Sequence, residues 1–568
     1  VTNPVQPLWR PDPDRPSQLK AFTGLAEERA GRRLSDYPAL HRWSVEAPCE
    51  FWRLVWEFAD VIATTPPAAD LEDSDRFPGA RWFPGSRLNF AENLLRYSDD
   101  TPAILSVTET DPLTAEPAAI TYAQLHRQVA AVAAHLRRRG IQPGDRVAGW
   151  LPNVPETIVA MLATASLGAV WTSCSPDFGA SGALDRFGQV QPKILFACDG
   201  YTYNGREITI VDAVQQVAGA VGSLEDVIWI DRIGLTPSNA TRWDALLAAE
   251  SPPLIFEPRA FDDPLYILYS SGTTGQPKCI VHGIGGTLLQ HLKEHRLHVD
   301  LARSDRFFYF TTCGWMMWNW LVSGLATGAT IVLYEGAPTH PSPDRLFSMA
   351  DGLGVTVFGT SAKFLSAVQK AGVIPKDTHD LATVRSILST GSPLTHEGFH
   401  YVYDAVKADV HLASISGGTD IVSCFVLGNP DLPVWPGEIQ VAGLGMAVEV
   451  WNDAGVPVIG EKGELVCTRP FPCCPIGFWN DPDNEKFLDA YFRAFPGTWT
   501  HGDFAEVTEH GGYIIHGRSD AVLNPGGVRI GTAEIYRQVE RIDAIAEAIC
   551  VGQEVDDDVR VVLFVVMQ

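Results

Sequence analysis

Three features of the sequence predict an α/β fold, with a large domain of parallel βα sheets and a small β-subdomain. From Ile104 strand-like and helix-like stretches alternate, apolar strands repeatedly end in Gly, Ser and Thr, and beyond Pro436 the texture changes to short alternating strands. Alternation of strand and helix places parallel strands in a sheet with helices over its faces. At 568 residues the chain exceeds one ordinary domain and suits a large multi-lobed enzyme.

The elements follow in order. Residues 1–100 form a Trp- and Pro-rich leader with helical patches such as CEFWRLVWEFADVI. In residues 81–96, RWFPGSRLNFAENLLR, a Gly/Pro turn precedes what reads as a capped amphipathic helix. ITYAQLHRQVAAVAAHLRRRG reads as a Thr-capped amphipathic helix, DRVAGWLP and AVWTSCSP as strands, and NVPETIVAMLATASLG as the helix between them. Pro-rich residues 251–264 connect this part to the strand before residue 270. A helix is expected next, where His291, Glu294 and His295 carry the H-x-x-E-H spacing of one zinc-peptidase group. No downstream carboxylate ligand stands out, so its histidines are expected to form polar helix faces.

Residues 307–334 are 28 in a row without a charge, long enough to span a membrane. Their Thr, Asn, Ser and Gly content favours two buried strands around a core helix. The formal charge of −25 argues against general nucleic-acid binding. Ten scattered cysteines without a C-x-x-C pair fit neither a disulfide framework nor a zinc site, and point to a reducing cytoplasm. The opening VTNPVQPLWRPDP lacks a secretory pattern, so the sequon at Asn239 is expected to stay idle.

The chemistry is concentrated in residues 269–278, YSSGTTGQPK. Small hydroxyl residues and glycines let a backbone curl and turn N–H groups inward, which suits a polyphosphate, with Lys278 as a terminal positive charge. The spacing differs from that of a P-loop, because the lysine follows Gly275 by three and Cys279 comes next. Three later strands end in Gly359-Thr360-Ser361, Thr390-Gly391-Ser392 and Ser416-Gly417-Gly418-Thr419-Asp420. Ligands bind beyond the carboxyl ends of parallel strands, so these ends are expected to floor one pocket.

YSSGTTGQPK, STGSPL, SGGTD, GELV, THGD and GRSDAVLNPGGVRIGTAEI occur in that order. The order resembles the adenylate-forming superfamily of acyl-CoA synthetases, luciferase and adenylation domains, and in detail its short-chain acyl-CoA synthetases. The resemblance implies a two-step ligase. A carboxylate attacks the α-phosphate of ATP and releases pyrophosphate; the thiol of CoA then displaces AMP. It also implies a large domain over 101–519, with the β-subdomain at 436–500. After a hinge at Asp520, a small mobile α+β C-terminal domain would begin at 520–568, incomplete in this chain.

Residue by residue, the resemblance gives Ser270, Ser271, Gly272, Thr273, Thr274, Gly275 and Lys278 to the β- and γ-phosphates. Thr419 and Gly418 lie at the α-phosphate, and Asp420 stands where relatives usually have a Mg²⁺-binding Glu. Gly391, Ser392 and Pro393 match the adenine contact, Asp503 and Arg518 the ribose contacts, and Arg529 a residue near the phosphates. Asn524 and Gly527 match the pantetheine tunnel, and Arg206 a segment that meets the 3′-phosphate of CoA.

Acetyl-CoA synthetases read W-W-Q-T-E where this chain reads SGGTD, so Gly417 stands in place of an indole that closes an acetate pocket. With Trp315, Met316 and Met317 as walls and Thr390 offering a hydroxyl, a four-carbon acid is expected, acetoacetate first. Ligation of propionate, butyrate or 3-hydroxybutyrate is the near alternative. The family completes adenylation with a lysine in a segment resembling PRTRSGK, the target of a lysine-acylating regulator, and nothing like it follows Asp520. Without that lysine, the alternative is a protein that binds nucleotide or acyl-adenylate.

Overall fold

Thr121 and Gln124 close a reciprocal capping box at the start of the Tyr122–Arg138 helix, satisfying two orphan N–H groups. Leu125, Val129, Val132 and Leu136 fall on one face of that helix and are buried. It packs beside the Pro155–Ser166 helix, which is buried from Thr157 onward. The computed structural model describes residues 6–112, 116–249, 252–270 and 276–519, and of the remainder 522–523, 525–527, 530–531, 535, 538–539, 542, 544–555 and 558–567.

Two large sheets carry the fold. The first has eight strands, in the order Thr241–Arg242, Asp226–Ile230, Ile194–Cys198, Arg146–Trp150, Val170–Cys174, Pro264–Ser270, Lys278–Gly283 and Gly477–Phe478. The first six are parallel and the last two join antiparallel. The second has seven, in the order His411–Ser414, Ser386–Thr390, Val357–Ser361, Arg306–Tyr309, Thr330–Glu335, Pro102–Thr108 and Ala118–Thr121. Only its last strand is antiparallel. Tyr122, Trp150, Ile158, Trp171, Trp318 and Trp320 belong to one apolar core, as expected of sheets buried on both faces. A four-stranded antiparallel sheet, Val448–Trp451, Gly463–Cys467, Trp499–Val507 and Tyr513–Arg518, supplies the β-rich part.

Three sequence expectations change, and that of two strands around a core helix in the uncharged stretch holds. The phosphate-loop segment leads into a strand rather than a helix: Lys278–Gly283 pairs back on Pro264–Ser270, with Ser270 opposite Lys278. The helix begins only at Ile284. In residues 81–96 the helix is five residues, Phe90–Leu94, capped by Asn89; Phe90, Ala91, Asn93 and Leu94 are buried, so it is not amphipathic. The H-x-x-E-H residues form no polar surface, since His291, Glu294 and His295 are fully buried. The uncharged stretch forms two strands around the eight-residue Met316–Ser323 helix. No helix among the described residues is long and apolar enough to cross a membrane.

Candidate active site

Val357–Ser361, Ser386–Thr390 and His411–Ser414 are adjacent parallel strands, and their carboxyl ends open into one cavity of about 240 Å³. Thr360, Thr390 and Ser414 line its floor. Gly391 follows at φ 93°, a left-handed conformation that suits glycine, and leads Ser392 and Pro393 along the wall. The three strand ends read from the sequence therefore meet as expected, though Ser416–Gly418 forms a short strand of its own, paired with Ser423–Leu427.

The antiparallel sheet closes the opposite side. Asp503 and Arg518 face each other in register, and Arg518 Nη1 donates to Asp503 Oδ1 over 2.8 Å. Both side chains are largely buried, at 8% and 10% exposure. His501, missed in the sequence, lies with Nε2 3.5 Å from Asp503 Oδ2 and 3.3 Å from the Gly417 carbonyl oxygen. Behind it, Gly502 N donates to Glu464 Oε1 over 2.8 Å. Burial raises the Glu464 carboxyl above its ordinary value, and the Asp503 charge adds to the shift.

A third wall combines the start of the Met316–Ser323 helix with the Ser416–Gly418/Ser423–Leu427 hairpin. Trp315, Met316 and Met317 line it from one side, Gly417, Gly418, Thr419, Ser423 and Cys424 from the other. The reasoning from space at Gly417 fails. A Cβ there would lie 2.1 Å from the Ser423 carbonyl oxygen and 2.5 Å from Cys424 Cα, so the position points into the hairpin backbone and not into the cavity. Thr390 is corrected as well: its hydroxyl donates to the Ile415 carbonyl over 2.7 Å and is committed to the backbone.

Ser270 also lines the cavity, its Oγ buried without a hydrogen-bond partner among the described residues. Asp420 is buried behind Thr419 and accepts the Tyr491 hydroxyl at 2.5 Å. Tyr491 stacks on Trp499 at 3.9 Å and 11°, and the Lys278 ammonium stands 5.1 Å from its ring centre. Aromatic residues thus tie Lys278 to Asp420, a link without a local sequence signal. Among the described residues no cluster of three His, Cys, Asp or Glu side chains could cage a metal. A lone buried carboxylate instead suits Mg²⁺ carried mainly by phosphates and water.

Arg206 is exposed on a surface hairpin and lies apart from the cavity lining. Gly526, in the Pro525–Gly527 turn, reaches the cavity beside Gly527. Ser271, Gly272, Thr273, Thr274, Gly275, Asp520, Asn524 and Arg529 lie outside the described residues. Arg186 was also missed; it lines the cavity with its guanidinium 4.3 Å from the Phe178 ring centre and 5.6 Å from that of Tyr269.

Fold and cavity define the class: an α/β enzyme with its site at the carboxyl ends of parallel strands, roofed by an antiparallel sheet. The AMP-binding enzyme family model matches residues 90–472, and the acetyl-coenzyme A synthetase N-terminus model matches residues 37–94. The chain belongs to the AMP-binding enzyme family. It is 56% identical to an acetoacetyl-coenzyme A synthetase of Rhizobium meliloti, over 99% of this chain and 86% of the relative. Acetoacetyl-CoA synthetase of Gallus gallus is 45% identical over the same shares. The solved acetoacetyl-CoA synthetase from Streptomyces lividans superposes with a TM-score of 0.87 at 48% identity, covering 99% of this chain and 87% of that one.

Proposed function

We propose that this chain is an AMP-forming acid–thiol ligase that converts acetoacetate, ATP and CoA to acetoacetyl-CoA, AMP and pyrophosphate. The observation that carries the reading is the single cavity where three parallel strand ends face the paired Asp503 and Arg518. The named relatives, alike over nearly the whole chain, direct the choice of acid.

A carboxylate oxygen of the acid attacks the α-phosphorus, and the bond to pyrophosphate breaks. The CoA sulfur then attacks the acyl carbon, AMP leaves, and the thiol proton is released. Both steps need positioning and charge neutralisation more than covalent help. Adenine rests on Gly391, Ser392 and Pro393, while Asp503 accepts from the ribose hydroxyls, held in place by Arg518 and His501. Ser270 and Lys278 serve the outer phosphates together with the loop between them. Asp420 would hold Mg²⁺, which when bound neutralises phosphate charge. The acid lies between Trp315, Met316 and Met317 on one side and Ser423 and Cys424 on the other. A cytoplasmic setting is supported by the ten cysteines, scattered along the sequence with no C-x-x-C pair.

Carboxylate-dependent exchange of labelled pyrophosphate into ATP tests the reading across acetate, propionate, butyrate, 3-hydroxybutyrate and acetoacetate. CoA-dependent release of AMP from supplied acetoacetyl-adenylate tests the second step. Exchange is expected to be fastest with acetoacetate. A different best acid would overturn the substrate, and no activity in either assay would leave only a binding protein.

A further inference from the structure

The H-x-x-E-H residues take no part in the site described above, yet they bridge two of its walls. Glu294 is fully buried in the Glu294–His298 π-turn. Its Oε2 accepts the Trp320 indole N–H at 2.7 Å. Its Oε1 accepts the Ser423 hydroxyl at 2.5 Å and the Cys424 backbone N–H at 3.3 Å. Trp320 belongs to the helix whose first residues, Met316 and Met317, line the cavity, and Ser423 and Cys424 line it from the facing hairpin. One carboxylate therefore holds both sides of the same gap.

His291 repeats the bridge one turn earlier. Its Nε2 donates to the Val422 carbonyl at 2.5 Å, and its Nδ1 lies 2.8 Å from the Ser323 hydroxyl on the cavity helix. Val422 sits at φ 50°, a left-handed conformation that a β-branched residue adopts only under strain. The strained residue and its two successors are pinned by His291 and Glu294. Such a turn persists where its surroundings over-determine it, and relaxes when those bonds are cut.

We propose that Glu294 is a positioning residue that sets the acid gap, fixing the Ser423–Cys424 wall at the distance from Met316 and Met317 that discriminates among short acids. The proposal rests on the reading of the cavity as an acid-activating site. A buried carboxylate here touches no substrate and acts through Ser423, Cys424 and Trp320.

The test compares acid selectivity in Glu294→Gln and Trp320→Phe. The second removes the indole donor together with part of its buried ring volume, and keeps an aromatic ring outside the cavity lining. Each variant is expected to raise the KM for acetoacetate and to lower the acetoacetate-to-acetate ratio of kcat/KM by about tenfold, the scale of a one-methylene change in fit. The KM for ATP should rise less than that for acetoacetate, because Gly391, Ser392, Pro393, Asp503 and Arg518 lie on other elements. The double variant should be no worse than the poorer single one, since both cut one bridge. An unchanged ratio, parallel losses with both acids, or additive effects would overturn the proposal. If Glu294→Gln does not fold, Trp320→Phe carries the same comparison alone. Wild-type protein that activates no acid sinks the functional reading instead. If it prefers another acid, the ratio is taken against that acid.

Discussion

An ideal Cβ at Gly417 lies 2.1 Å from the Ser423 carbonyl oxygen, so even Gly417→Ala forces the cavity hairpin apart. Overpacking of this kind costs about 1–3 kcal/mol. The variant should melt earlier and lose pyrophosphate exchange with acetate and acetoacetate alike; loss confined to acetoacetate would restore a pocket-size role for this glycine. Asp503→Asn tests the nucleotide side. It takes the carboxylate charge from beside the buried Arg518 guanidinium, 2.8 Å away, a break that costs about 3 kcal/mol. It also turns one of the two oxygens proposed to accept from the ribose into an amide donor. ATP affinity by calorimetric titration should fall at least about tenfold, one factor of ten per 1.4 kcal/mol; unchanged affinity would remove Asp503 from the nucleotide site. Asp503, Gly391 and Thr419 could be found in the sequence because each sits in a short motif. His501, Arg186 and Tyr491 could not, because each has a partner far away in the chain, 84, 83 and 71 positions off: Gly417, Tyr269 and Asp420. Gly417 was found for the wrong reason, since a sequence shows that a side chain is missing but not where its Cβ would point.

At the scale of elements, the Tyr122–Arg138 helix is specified locally: its capping box and apolar spacing both lie within the segment. Thr121→Ala should cost about 1 kcal/mol of stability and leave the KM values for ATP and acid unchanged. A shift in either KM would tie this helix to the cavity. The parallel strands at the cavity were equally readable, since Val357–Ser361, Ser386–Thr390 and His411–Ser414 are short apolar runs that end in small residues. Lys278–Gly283 was not, because CIVHG is apolar enough to begin a helix, and only pairing with Pro264–Ser270 makes it a strand. The buried histidines misled for a related reason. Imidazole is polar in composition, yet His291 and His295 are satisfied by Ser323, Val422 and Trp320, which come from other elements.

The whole molecule buries several imidazoles, and this sets its response to acid. Burial pushes His282 and His295 down to about 3, against the opposing charge of Asp420 at His282, and with His291 adding to the shift at His295. Burial pushes His411 down to about 4, although its hydrogen bond to Gln440 opposes the shift. In the folded protein these rings stay neutral well below the pH at which they would protonate in the unfolded chain, about 6.5. The unfolded state then binds more protons, so stability is full above that value and is lost as the pH falls from 6.5 toward 4. Together the three rings should remove about 3 kcal/mol between pH 6.5 and 5.5. Proton uptake on thermal unfolding, measured at pH 5.5 in buffers of different ionisation enthalpy, should include about one proton for each ring. His411→Gln should lower that uptake by about one proton, because its ring faces Gln440 and Ser386 with no carboxylate bonded to it among the described residues. Equal uptake in the variant and the parent would mean that His411 is already protonated in the folded state, and that its burial does not hold it neutral.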